Sequence, residues 1–243
     1  MKKLCSLSAT LLALGACALA ARADFTHPAF TVSIAANGIA SSGYACDYGS
    51  VVRVSETEWF FEGARTDLDG TLMSWAYLVD PDPFITGTFS LTNETELARE
   101  YVVDFALPIS PAMSASTIMG QMAGTLTDAN GSGSALMTSI GGGFVYTALA
   151  DGLFVHGLMP EANQSVSSPF GTASFSGGAF GQENPLAGPA ISSTIGIRFA
   201  FMLSAGDSVS FSSIFVANPV PAPGAMALGI LASAFTVGRR RRW

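Results

Sequence analysis

The stretch Thr127-Asp128-Ala129-Asn130-Gly131-Ser132-Gly133 has the residue types and spacing to hold a cation. Asp128, Asn130 and Ser132 alternate ahead of Gly133, the order that opens an EF-hand loop, where oxygen side chains on every second residue turn inward on Ca²⁺. The twelfth position of such a loop takes a bidentate Glu, and here it is Ser139. The same stretch suits a hairpin turn between Leu126 and Ala135, with Asn130-Gly131 supporting positive φ. The turn is the preferred reading; Asp128, Asn130 and Ser132 stand beside it as candidate Ca²⁺ ligands.

Carboxylates offer a second chemistry. Glu56, Glu58, Glu62, Asp67 and Asp69 lie close in sequence and could supply a glycosidase pair, provided two of them converge across a cleft at about 5 Å or about 6.5–9.5 Å. An acidic chain offers such pairs anywhere, so this makes a carboxylate-dependent hydrolase the alternative and not the leading reading. Asp67-Leu68-Asp69-Gly70 and Asp80-Pro81-Asp82-Pro83 read as turns. The only histidines, His27 and His156, are too few for a site of several His ligands, and His156 alternates with Phe154 and Leu158 as a structural residue of a strand. The chain contains no nucleophile elbow, zinc-helix motif, phosphate loop or dinucleotide fingerprint. No catalytic residue, cofactor or enzymatic activity is therefore assigned. Trp59 and Trp75 suit either a sugar-stacking platform or the core.

The elements that would position these residues are strands. Phe30, Val32 and Ile34 alternate, as do Tyr101, Val103, Phe105 and Leu107, and Ile195, Ile197, Phe199, Phe201 and Leu203 form the longest period-two run. Further strands are expected at 50–54, 59–62, 72–79, 84–91, 118–126, 135–140, 144–149 and 153–158. Ser204-Ala205-Gly206-Asp207 is expected to turn the 195–203 run into a hairpin with Val209 and Phe211. Residues 160–189, rich in Gly, Ser and Asn, read as a long loop with at most a short strand at 172–175. Many short strands without an amphipathic helix predict an all-β fold, a single antiparallel β-sandwich or jelly-roll-like domain over 24–219.

Charge narrows the partners. All eighteen acids fall within 24–219 against four arginines and no lysine there, a formal charge of −14 hidden beneath the −7 of the whole chain. Such a body repels nucleic acid, whose binding needs clustered Lys and Arg, and it tolerates cations and neutral glycans.

Both ends read as addresses. Met1-Lys2-Lys3, an apolar stretch from Leu4 to Leu19 and the small-x-small site Ala21-Arg22-Ala23 form an N-terminal signal peptide over 1–23. Leu14-Gly15-Ala16-Cys17 is a competing lipobox. Ordinary cleavage leaves Cys46 as the lone cysteine in an oxidising compartment, so no internal disulfide can form. At the other end, Val220-Pro221-Ala222-Pro223 forces an extended entry, 224–238 is free of charge and apolar, and Arg239, Arg240, Arg241 and Arg242 follow at once. Fifteen helical residues reach only about 22 Å, short of a bilayer core of about 30 Å.

The order of proline motif, short apolar helix and arginine block resembles the PEP-CTERM sorting signal of bacterial envelope proteins. The resemblance covers 220–243 alone, and Ala222 stands where the motif has Glu. It implies recognition and removal by an exosortase-like enzyme after passage through the export machinery, with transient insertion in the inner membrane through the C-terminal helix. The expected destination is the cell surface or the extracellular matrix, where an exopolysaccharide is an implied partner.

Overall fold

The computed structural model describes residues 26–68 and 70–220. The expected signal peptide (1–23) and the sorting tail, with Pro221, Ala222, Pro223, the apolar segment 224–238 and Arg239 to Arg242, lie outside the described residues. Within them the fold is all-β. In chain order the strands are β1 (Thr31–Ala36), β2 (Ile39–Tyr44), β3 (Gly49–Arg53), β4 (Trp59–Leu68), β5 (Thr71–Asp80), β6 (Phe84–Asn93), β7 (Arg99–Pro108) and β8 (Ser116–Thr127). Then follow β9 (Ala135–Ser139), β10 (Phe144–Ala150), β11 (Leu153–Pro160), β12 (Asn163–Val166), β13 (Thr172–Phe180), β14 (Leu186–Gly188), β15 (Thr194–Leu203) and β16 (Ser208–Pro219). Among the described residues no helix is long and apolar enough to cross a membrane.

Every pairing is antiparallel. One sheet runs β11-β10-β15-β7-β1-β2, with β9 joined to β15 and β12 to β9; the other runs β13-β8-β16-β6-β5-β4-β3, with β14 joined to β8. The expected alternation places the odd-numbered residues of β5, β6, β7, β15 and β16 between the sheets, because successive side chains of a strand point to opposite faces. There the sheets meet through aromatic rings. Tyr77 lies 4.3 Å from Phe105 between centroids, Phe89 lies 4.7 Å from Phe199, and Phe199 lies 5.0 Å from Phe211, each pair bridging the two sheets. Burying each such ring stabilises the fold by roughly 1.5–3 kcal/mol, and one hydrophobic cluster runs through them all.

Three expectations are corrected. Ser204 to Asp207 does not close a hairpin: β15 pairs with β7, β9 and β10, whereas β16 pairs with β6 and β8 in the opposite sheet. The turn is a crossover between sheets, and both strands keep their apolar faces inward because they approach the core from opposite sides. The connection from β8 to β9 also crosses between sheets, so Asn130-Gly131 is not a hairpin turn. Residues 160–189 hold three strands where a loop with at most a short strand at 172–175 was expected; that strand is the first part of β13. β13 is nine residues long, and its Ser and Gly side chains leave no apolar stripe because it pairs as the edge of its sheet, with a register shift between Ser176 and Gly178.

Two hairpins do have two-residue loops in which both residues adopt positive φ, Asn37-Gly38 (47° and 81°) between β1 and β2 and Asp151-Gly152 (49° and 76°) between β10 and β11.

Candidate functional site

The 128–133 stretch lies where the β8–β9 and β15–β16 crossovers between the sheets meet. Asp128 is fully buried at the end of β8, and its two oxygens are taken by donors of its own neighbourhood. Oδ1 accepts the Ser132 N–H at 3.1 Å and the Ser132 hydroxyl at 3.4 Å, while Oδ2 accepts the Gly133 N–H at 2.7 Å and the Phe170 N–H at 3.3 Å. Burial pushes this carboxyl upward, but the N–H groups of Gly133, Phe170, Ser132 and Gly131 outweigh it and hold it below the ordinary carboxylate range. Asn130 also turns its oxygen inward, onto the Ser132 N–H at 2.7 Å, and donates its amide to the Ala205 carbonyl at 2.9 Å. The structure thus brings Asp128, Asn130 and Ser132 together, with the oxygens of Asp128 and Asn130 engaged by N–H donors of the loop and of Phe170, while the Asn130 amide ties the loop to the β15–β16 crossover.

A second carboxylate sits beside them. Asp207 is buried, accepts the Ser204 hydroxyl on Oδ2, and leaves Oδ1 without a hydrogen-bond partner among the described residues. Burial raises it above the ordinary range, the Ser204 hydroxyl opposes this, and the negative charge of Asp128 adds to it. Sequence reasoning placed Asp207 in a turn; only the packing of the two crossovers brings it to Asp128. Among the described residues no group of three or more His, Cys, Asp or Glu side chains is gathered to hold a metal ion.

The carboxylates weighed for hydrolysis are dispersed differently. Glu62 faces outward on β4 and accepts the Ser50 hydroxyl at 3.1 Å. Asp69 lies outside the described residues. Glu56 lines an open cleft of about 380 Å³ with Arg53, Thr57, Trp59, Asp80 and Asp82, where the β3–β4 connection meets the β5–β6 turn. Asp80 is held on both oxygens there, by the Thr57 hydroxyl at 2.7 Å and the Asp82 N–H at 2.9 Å, the geometry of an Asx turn. Arg53 lies over the Trp59 ring at 5.6 Å and donates to the carbonyls of Ser55 at 2.9 Å and Glu56 at 2.5 Å. This arrangement can offer hydrogen bonds to a small polar ligand.

No protein-family model matches the chain, and no curated protein matches it.

The remaining candidates are structural. Trp59 and Trp75 are only 9% and 4% exposed and form no sugar-stacking platform; Trp75 packs edge-on against Tyr48 at 6.2 Å. His156 is half-buried with its ring 4.2 Å from Phe180, which closes one edge of the two sheets. Asp151, unremarked in the sequence, accepts five hydrogen bonds from Ser192, Ser193 and Thr194 at 2.8–2.9 Å. Burial opposes its ionised form, yet these donors hold it well below the ordinary carboxylate range. Asp151-Gly152 is the signal that marks this turn.

Proposed function

We propose that this chain is an exported, non-catalytic cell-surface or matrix protein, carried by a C-terminal sorting signal and built on an antiparallel β-sandwich that presents neutral and acidic surfaces to glycans or cations. The observation that carries the non-catalytic reading is how three of the carboxylates are used, Asp207 being the buried one that keeps an oxygen unpaired among the described residues. Asp80, Asp128 and Asp151 hold turns and crossovers through both of their oxygens. A carboxylate saturated by fixed donors is a poor nucleophile and a poor proton carrier. The destination rests on the two terminal signals, and 220–243 makes an exosortase-like enzyme the processing partner and the inner membrane a transient station.

Intact-mass measurement of the protein recovered from the cell surface tests the address. Cleavage near Asp24 and again near 221–223 is expected. A mature protein that keeps Arg242-Trp243 would replace the sorting signal with a tail anchor, and a lipid on Cys17 would show in the same spectrum.

The alternative, a carboxylate-dependent hydrolase, draws on the cleft that gathers Glu56, Asp80 and Asp82. A glycosidase screen separates the two readings: turnover abolished by Glu56→Gln would establish the enzyme.

A further inference from the structure

The outer face of β13, β8, β16 and β6 carries no charged residue, and the charges at its β5 margin are both acidic: Asp80 at the end of that strand and Glu62 of β4 opposite Ala76. Across it the cross-strand partners form ranks. Thr125, Ser210, Ser90 and Ser74 stand side by side on β8, β16, β6 and β5; the next rank is Ala123, Ser212, Thr88 and Ala76, and the next is Gln121, Ile214, Thr86 and Leu78. The first rank is a wall of hydroxyls, with Ser74 and Ser90 bonded at 2.9 Å. The third mixes apolar Ile214 and Leu78 with polar Gln121 and Thr86. The middle rank is small, so the surface sinks there into two depressions of about 370 Å³ and about 310 Å³ that meet at Thr88. They form one trough across four strands spaced about 4.8 Å apart, a length of roughly 14 Å between the outer strand axes.

We infer that this trough binds a neutral glycan chain. A sugar ring presents C–H groups on its faces and hydroxyls around its rim, and the trough answers with Ile214, Ala123 and Ala76 for the first and Ser74, Ser90 and Ser210 for the second. Thr88, Ser210 and Ser212 are exposed, and their hydroxyls have no hydrogen-bond partner among the described residues. Charge selects a neutral ligand. The face holds no cation for a uronate, sulfate or phosphate, and the four arginines of the body lie on other strands while its acids give −14 over 24–219. A second copy of this chain is the poorer occupant, because its body would bring the same negative charge. The inference rests on the proposed surface role only for its choice of ligand. The mass measurement tests the address and the binding test below does not, so the two fail separately.

The test measures binding of the full chain to a neutral glucan, both as cello-oligosaccharide by calorimetry and as polymer by affinity electrophoresis, with alginate as the anionic comparator. Ser212→Ile fills the trough and removes a hydroxyl while keeping strand propensity, and is expected to weaken neutral-glucan binding about tenfold or more. Thr88→Val, isosteric and without the hydroxyl, should weaken it less, and Glu56→Gln in the Arg53–Trp59 cleft should leave it unchanged. Circular dichroism like that of the parent confirms that the variants fold. Failure to bind any neutral glucan, preference for alginate, loss of binding through Glu56→Gln alone, or a concentration-dependent dimer that Ser212→Ile abolishes would each overturn the inference.

Discussion

Asn93, the last residue of β6 in one sheet, donates its side-chain amide to the carbonyl of Leu203, the last residue of β15 in the other, at 3.2 Å. The same nitrogen reaches the carbonyls of Ser204 at 3.0 Å and Leu97 at 2.8 Å, and the amide oxygen accepts the Thr95 hydroxyl at 2.6 Å. One fully buried amide therefore ties the ends of both sheets and the 94–98 connection together. Asn93→Ala leaves buried carbonyls unpaired and should cost roughly 1–3 kcal/mol in a urea titration. Asn93→Asp, which turns a carboxylate toward three carbonyls, should cost more. Equal effects would argue against the network as the cause.

Acid should act on the fold in two opposite directions. Asp128 and Asp151 sit below their ordinary value of 3.8 in the folded state, so their contribution is present above that pH and lost as pH falls through the folded value. Asp207 is raised above 3.8, so its contribution is present at lower pH and lost as pH rises through its folded value. Asp207→Asn should therefore stabilise the protein at neutral pH, whereas Asp151→Asn should destabilise it there and flatten its acid lability. Urea titrations from about pH 2 to about pH 7 measure both; a matching shift in the two variants would refute the assignment.

With the oxygens of Asp128 and Asn130 engaged by N–H donors, Ca²⁺ and EDTA should leave the melting temperature of the full chain unchanged. Asp128→Asn should lower it, since an amide would set N–H against the N–H groups of Gly133 and Phe170. A melting temperature that climbs and saturates with added Ca²⁺ would make Asp128, Asn130 and Ser132 ligands after all.

On the outer face of the other sheet, Arg198 of β15 stands directly opposite Asp104 of β7 and forms a two-pronged bond at 2.7 and 3.1 Å. The pair is solvent-exposed, so a double-mutant cycle with Ala at both positions should return no more than about 1 kcal/mol, falling with added salt. A coupling several times larger would show that the guanidinium supports more than its carboxylate.

The strands with regular apolar alternation, β1, β5, β6, β7, β15 and β16, were legible from the chain, because a half-buried strand must repeat every second residue. β2 was not, and β13 was legible only as the short strand 172–175. Ile39 to Tyr44 and Thr172 to Phe180 lie at sheet edges and are largely open to water, so no apolar stripe is demanded of them. Turn chemistry at Asn37-Gly38 would have revealed the first, and nothing comparable marks the second. Of the candidate ligands, the local grouping of Asp128, Asn130 and Ser132 was readable from spacing, but what their side chains bond was not: the Phe170 N–H that Asp128 accepts and the Ala205 carbonyl to which the Asn130 amide donates lie far along the chain.

The sequence by itself determined that this is a β protein with an acidic, lysine-free body and which residues face inward on its regular strands; the export and sorting roles proposed for its two ends rest on composition alone. Only the tertiary structure decided the partners of those strands. Alternation has the same period whether a strand pairs with its neighbour in sequence or crosses to the opposite sheet, so β15 and β16 read as a hairpin until their separate sheets are seen. The neutral hydroxyl trough has the same origin. Its ranks are assembled from β8, β16, β6 and β5, and a Ser or Thr at an outward position is unremarkable until sheet order sets four of them side by side.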